Sequence, residues 1–562
     1  MTATTYVGVP TSRVDGRAKV TGLAKYAAEF NLRGLAHGAV ISSAIAKGRI
    51  SRIDTRNALA VDGVIDVLTH QNRPKLAGSD EKYRDDVAPP GSPFRPLYDD
   101  QIRYSGQPVA LVVAEELEIA RYAATLVRIE YDTEEHATDL EQERAQAYVP
   151  PQERSGIAPP ADDCGDAGNA CAQAALRMEA EYRTPIEHHN PMETFATTAV
   201  WEGDDQITVF DKTQGVQNSQ KYVANVFGLA PDKVRVLSPY VGGAFGLGLR
   251  PQYQLPLAVM AARALKRSVR VALTRRQMFT SGYRPATIQR LTLAAEPDGR
   301  LTSFGHDTVA MTSRYEDYQE NIVNWSRQLY TCQNSALTYR LAKLDLATPC
   351  DMRAPGGVVG AYAIECAMDE LAYAAGIDPL ALRLRNYSDK DQAEDKPYTS
   401  KELRAAYLQG AKKFGWGQRG REPRSMREGS ELIGWGMATG IWEALQMKAS
   451  ARAVLNRNGD LEISSAFSDI GPGTYTMMTQ IAADMLGVPI YNVAAKLADS
   501  SLPAAPVEGG SWTTASLGTA VREACLGVRA QLLRMARQVD GSPLAEAGLD
   551  DVVFFDGSIR HK

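Results

Sequence analysis

Cysteine is scarce in this chain and never clustered: there are six among 562 residues, and none forms a CxxC pair. Iron–sulfur clusters need grouped thiolates, so none is expected on this chain's own side chains. Cys164 and Cys171 are the nearest pair, and all six read as buried or incidental thiols. Histidine is as sparse, with seven scattered along the chain. Only His188 and His189 are adjacent, and strand neighbours face opposite ways, so they read as structural or pocket-lining. A metal here would take most of its ligands from something other than protein side chains. No charge of one sign dominates: the net charge is −5, without the basic footprint of a nucleic-acid binder. No apolar run approaches the ~20 residues that span a bilayer. The opening MTATTYVGVPTSRVDGR carries no basic-then-apolar leader.

What is present is glycine in the right places. Residues 233–250 read KVRVLSPYVGGAFGLGLR. A β-branched run (Val234, Val236) leads into Gly242, Gly243, Gly246 and Gly248, and an apolar helical pattern follows from about Gln254. Strand, glycine turn and helix hold an anion: backbone N–H groups approach it, and the helix start adds its positive end. A dinucleotide turn would carry an acid about 20 residues on. No Asp or Glu occurs from Gly246 through Arg276, so a nicotinamide site is disfavoured. Phe245 is unusual in a turn that only cradles phosphate, and suggests that the loop also walls a cavity.

The length suggests roughly three or four domains. Residues 1–132 read as a small α/β unit, with a buried strand GQPVALVVA and a helix EELEIARYAATLV. Residues 133–173, with four prolines and little periodicity, read as a linker. Two further regions, 174–398 and 399–562, share a pattern. TVFDKTQG, a helix ending in FGL and PDKVRVLSP in the first are matched by SAFSDIGPGTYT, a helix ending in LGV and PIYNVAAKLAD in the second. Gly228 and Gly487 are 259 apart, as are Val234 and Val493. Three elements in one order point to a duplicated fold. Two copies facing each other would aim two helix starts into one crevice, which suits a large charged cofactor.

Four segments are candidates for that crevice. Gln214 closes a strand, where its amide donates to a ligand or satisfies backbone. The loop 242–248 is the second. In DMRAPG, a Pro-Gly turn leaves Arg353 facing the cavity, where its fork suits a carboxylate or phosphate. GPGTYT and EGGSWTTAS, residues 471–476 and 508–516, combine glycines with hydroxyls before helices: helix caps, or a second phosphate-binding side.

Taken in order, RVDGRAKVTGLAKYAAEF, SAIAKGRI, RYSGQPVALVVAE, SPYVGGAFG, MRAPG and SDIGPGTYT resemble the molybdenum-binding large subunit of the xanthine oxidase/aldehyde oxidoreductase family, nearest to its bacterial periplasmic aldehyde-oxidising type. The resemblance spans nearly the whole chain. It implies an α+β architecture: an N-terminal hammerhead domain, then two duplicated molybdopterin-binding domains, the second incomplete. It also implies molybdopterin cytosine dinucleotide, whose own ligands fill the metal's coordination. Gln214 would bond the apical oxo group. Gly242, Gly243, Phe245 and Gly246 would flank the metal, with Arg353 near it. Gly471, Gly473, Gly510, Ser511 and Thr514 would contact the pterin or its dinucleotide tail. Direct protein ligands to the metal are not expected.

The implied reaction is hydroxylation of an aldehyde to a carboxylic acid with water as oxygen source. Electrons would pass to a separate small [2Fe-2S] subunit and then to an FAD subunit. Hydroxylation of an N-heterocycle, or a non-catalytic scaffold, are the alternatives. The family's general-base glutamate lies in a late GVGE-like motif, and none occurs here, so it is expected from a further chain or C-terminal segment. Trp442 in GIWEAL stands where a related aldehyde oxidoreductase has a substrate-facing arginine; it offers stacking area instead of charge. The compartment stays open: cytoplasm, or periplasm if a partner carries the export signal.

Overall fold

The computed structural model describes residues 5–203 and 205–562. The expected α+β architecture is what the chain adopts. Strands β1 (Ala36–Ser42), β2 (Val64–Thr69) and β3 (Pro108–Ala114) pair antiparallel, and helix α1 (Leu117–Leu126) packs on them. All seven residues of β3, PVALVVA, are buried. It is an inner strand covered on both faces, which is why it reads as a continuous apolar run.

The stretch 133–173 is mostly irregular, as a proline-rich segment should be, yet it is tied down. Tyr148 and Cys164 make bridges to Leu341 and Ser335. Those contacts cover the open edge of a second sheet.

Strand β4 (Leu176–Thr184) starts that second sheet. The chain then makes β5 (Ala196–Trp201), β6 (Ile207–Asp211), helix α2 (Val216–Phe227), β7 (Val234–Leu237), helix α3 (Gln254–Leu265) and β8 (Val269–Ala272). These four strands continue the N-terminal sheet through a parallel β1–β8 pair, giving the order β7-β6-β5-β8-β1-β3-β2. Strands β9 (Thr287–Ala295), β10 (Leu301–Ser313) and β11 (Ser335–Leu344) join β4 in the order β11-β10-β9-β4. Helix α4 (Gly357–Ala375) packs on β4 and β9.

The last region holds β12 (Arg452–Leu455), β13 (Leu461–Ser464), helix α5 (Thr474–Leu486), β14 (Val493–Lys496) and helix α6 (Thr513–Arg537). Here the duplication is visible. In each copy an antiparallel pair leads into a helix and a parallel return: β5–β6–α2–β7 and β12–β13–α5–β14. Both helices end on a left-handed glycine, Gly228 at φ 65° and Gly487 at φ 61°. That C-cap conformation favours glycine and explains the matched pair in the sequence.

The copies meet where their parallel strands end. Ser238 N donates to Ala498 O and Ser500 N to Val236 O, both at 2.9 Å. One apolar core runs through all three regions, from Leu111 and Val113 through Val209 and Val259 to Ile463, Phe467 and Leu517.

Candidate functional site

The glycine loop after β7 is pinned at both ends by residues that flank it in space. Gly242 N donates to Glu193 Oε2 at 2.7 Å. Gly246 N and Gly248 N donate to Gln214 Oε1 at 3.0 and 3.2 Å. Gln214 is buried, and its Nε2 donates to Glu508 O at 2.6 Å. Its backbone also joins both sides: Gln214 N donates to Gly248 O at 2.8 Å, and its carbonyl accepts from Glu508 N at 2.6 Å. Gln214 is thus a strut between the glycine loop and the 508–511 loop of the second copy. A carboxamide has two donor hydrogens; the second finds no protein partner among the described residues.

Between the pins the loop is strained outward. Gly243, Phe245 and Gly246 have φ of 84°, 57° and 112°. A left-handed non-glycine residue costs on the order of 1–3 kcal/mol. The N–H groups of Gly243, Ala244 and Phe245 have no hydrogen-bond partner among the described residues. The Phe245 ring is 43% exposed beside them.

The Arg353 loop lies against the glycine loop: Arg353 N donates to Phe245 O at 2.9 Å. The Arg353 guanidinium is exposed and unpaired among the described residues. Its loop is held by buried charge. Arg154, from the proline-rich stretch, forks onto both Asp351 oxygens. Burial pushes the Asp351 carboxyl up, but the Arg154 charge and hydrogen bonds outweigh it and hold it below the ordinary range. Arg284 donates to Arg353 O at 2.9 Å. His189, buried and pushed down to about 4 by desolvation, donates its Nε2–H to Asp351 O at 2.7 Å, so it is a neutral structural histidine.

Glu320 closes the same loop by accepting from Gly356 N at 2.9 Å, at the start of α4. Burial pushes its carboxyl up to about 7 from 4.5, against the pull of Arg284. Between those two values the folded protein binds a proton that the unfolded chain has released. This group's contribution therefore falls as pH rises through that window, by ~3 kcal/mol in all. Glu320→Gln keeps an acceptor for Gly356 N and removes the titration. Urea unfolding of the variant should lose less stability than wild type between pH 5 and pH 8; parallel losses would contradict this.

The second copy contributes two helix starts of different character. At α5, Gly471 N and Gly473 N donate to Asp469 Oδ1 at 2.8 and 3.4 Å, so these amides are already taken by an internal carboxylate. At α6 no side chain caps the helix, and Gly510 and Ser511 precede it with φ of 52° and 62°. Ser511 and Thr514 are exposed there. Trp442 donates its indole N–H to Gly510 O at 3.0 Å, and its ring lies against Gly357 and 5.8 Å from the Trp325 ring. It is a wedge between the start of α4 and the 510 loop.

Residues 150–387 and 409–562 both match the molybdopterin cofactor-binding domain, and residues 21–135 match the aldehyde oxidase and xanthine dehydrogenase a/b hammerhead domain. The chain belongs to the aldehyde oxidase and xanthine dehydrogenase family. It is 37% identical over 527 residues to the aldehyde oxidoreductase molybdenum-binding subunit PaoC of Escherichia coli (strain K12), covering 93% of this chain and 70% of that protein. It is 28% identical over 505 residues to the putative xanthine dehydrogenase molybdenum-binding subunit XdhA of the same strain, covering 86% of this chain and 66% of that one. Quinoline 2-oxidoreductase from Pseudomonas putida 86 shares the fold, with a TM-score of 0.86 at 21% identity over all of this chain and 74% of that one.

The aldehyde oxidase and xanthine dehydrogenase family implies a molybdopterin cofactor, and the residues present fit one. Three consecutive unpartnered amides at 243–245 form a nest for an anionic group. The uncapped start of α6 offers a second anion-binding end. Among the described residues no three His, Cys, Asp or Glu side chains are grouped to hold a metal. Sequence reasoning missed Glu193, Arg154, Arg284 and Glu320, the charged residues that set this geometry. Their signal was weak because lone charged residues read by default as solvated.

Proposed function

We propose that this chain is the molybdenum-cofactor-binding subunit of a hydroxylase that oxidises aldehydes to carboxylic acids with water as oxygen source. It passes electrons to a separate small [2Fe-2S] subunit and then to an FAD subunit. The cofactor is the cytosine dinucleotide form. The observation that carries this reading is the unpartnered 243–245 nest opening beside the Phe245 ring and the unpaired Arg353 guanidinium. The 37% identity to an aldehyde oxidoreductase subunit favours aldehydes over purines.

When bound, the cofactor supplies a two-electron acceptor and a Lewis acid that activates water. The chain's own residues bind and orient. The 243–245 amides and the spare N–H of Gln214 would donate to it. Phe245 offers an aromatic wall to a flat substrate and shields the hollow from bulk water. Arg353 supplies positive charge at its rim. Gly510, Ser511 and Thr514 at the α6 start would hold its phosphate. The donors at Gly471 and Gly473 are spent on Asp469, so that side contributes shape and not free amides. Glu193 and Glu320 each accept a backbone N–H and hold the loops in place. The catalytic carboxylate is assigned to polypeptide outside these residues.

The test is turnover by the purified native complex with an aromatic aldehyde and ferricyanide as electron acceptor. Aldehyde-dependent reduction is expected. Turnover of an N-heterocycle with aldehydes inert would reassign the substrate. A molybdenum-loaded complex inert to both would make the chain a scaffold.

A further inference from the structure

The far end of the glycine loop rests on a buried ion pair that the cofactor reading does not use. Lys212 lies two residues before Gln214 on the segment leaving β6. Its side chain is fully buried, 4.0 Å from Glu193 Oε2. Its ammonium donates to Glu193 O and sits over the Phe195 ring, 4.5 Å from the centroid. Glu193 in turn grips Gly242 on both sides: Oε2 accepts from Gly242 N at 2.7 Å, and Glu193 N donates to Gly242 O at 3.1 Å. The approach is so close that a Cβ on Gly242 would lie 2.5 Å from Glu193 Cβ.

The neighbouring charges are committed elsewhere. Asp211 accepts from Thr197 at 2.6 Å and Ser219 at 3.3 Å. Arg275 donates to the carbonyls of Pro191 and Met192. Lys212 and Glu193 are therefore each other's nearest counter-ions.

Burying a lysine is costly, and a buried ion pair is a poor way to gain stability. A neutral amide already suffices at the other end, where Gln214 holds Gly246 and Gly248. What the pair adds is a charge-assisted hydrogen bond, shorter and stiffer than a neutral one. It falls on the residue immediately before the nest.

We infer that Lys212 and Glu193 are positioning residues of the cofactor cradle. Burial pushes the Glu193 carboxyl up, and the Lys212 ammonium opposes that rise. The carboxylate fixes the Gly242 N–H, and the next three amides stay turned towards the ligand. Two alternate residues of one segment, Lys212 and Gln214, thereby clamp the loop at its two ends. This rests on the nest being the cofactor's seat.

The test uses the native complex carrying Lys212→Met, Glu193→Gln, or both. Readouts are molybdenum per chain by mass spectrometry, the Mo(V) electron paramagnetic resonance signal after reduction, and the unfolding midpoint. Either single change should lower bound molybdenum by about tenfold or more, as outer-shell changes do at metal sites, or shift the Mo(V) signal. The double change leaves a neutral amide accepting from Gly242 N and no orphan charge, so it should recover the unfolding midpoint but only part of the molybdenum. If Lys212→Met does not fold, the double variant decides: folded with molybdenum below wild type or a shifted Mo(V) signal supports the inference, folded with wild-type molybdenum and an unchanged signal overturns it. Wild-type loading and an unchanged signal in Lys212→Met would overturn the inference alone. A wild-type complex without molybdenum would overturn the cofactor reading as well.

Discussion

Gly246→Ala should abolish cofactor loading. The position has φ 112°, and a Cβ there would lie 2.0 Å from the Asp351 carbonyl oxygen and 2.7 Å from its carbon. Both are backbone atoms, and Asp351 cannot yield because Arg154 forks its side chain and His189 donates to its carbonyl. The glycine loop must move instead, taking the 243–245 nest and the Phe245 ring with it. The backbone strain alone costs about 1–3 kcal/mol, and the clash adds to it. Gly228→Ala is the matched control: φ is 65° there, but nothing lies within 4 Å of the new carbon. It should cost about 1 kcal/mol and leave molybdenum content unchanged. Metal analysis and thermal unfolding of the two variants check this. Equal loading of both would mean that the loop is not held as described.

Arg154→Met should be strongly destabilising. Arg154 and Asp351 side chains are 5% and 10% exposed. Removing the guanidinium strands a buried carboxylate with the Tyr318 hydroxyl as its remaining donor, at 3.2 Å. Breaking a buried pair this way costs about 3–5 kcal/mol. The double variant Arg154→Met, Asp351→Asn removes the stranded charge and should recover a substantial part. Chemical denaturation of the three proteins measures it. A single variant within about 1 kcal/mol of wild type, the typical worth of an exposed pair, would show that Asp351 finds another partner.

Arg154 also shows where sequence reading stops. It sits in PPQERSG, among prolines and acids, and nothing local marks it as buried. Its partner is 197 residues away. The same holds for Glu193 and Lys212, whose burial becomes visible only with the pair. The glycine loop was legible because its signal is local: a β-branched run, glycines where φ must be positive, then an apolar helix. The duplication was legible because both helices need a left-handed glycine at their ends, 259 residues apart.

Three strands of the second sheet gave no clear pattern. Most of β10, LTSFGHDTVAMTS, is buried, so apolar and polar residues do not alternate as they would with one wet face. Its buried His306 is satisfied by Ser326 and Gln289, at 2.9 and 3.1 Å. At the site, Gly471 and Gly473 are expected to contact the pterin or its dinucleotide tail; the acid that takes their amides is Asp469 in the same SDIGPG motif. Trp442 is expected in the substrate pocket, offering stacking area. The structure gives its indole N–H to Gly510 O and packs its ring on Gly357, which makes it part of the joint between the two copies.

The claim beneath all of this is that two related halves grip one molybdenum cofactor through backbone amides. Molybdenum per chain in freshly purified native complex, with analysis of the nucleotide released on denaturation, tests it most directly. The account predicts stoichiometric molybdenum accompanied by a cytosine nucleotide. A folded complex carrying neither would contradict it.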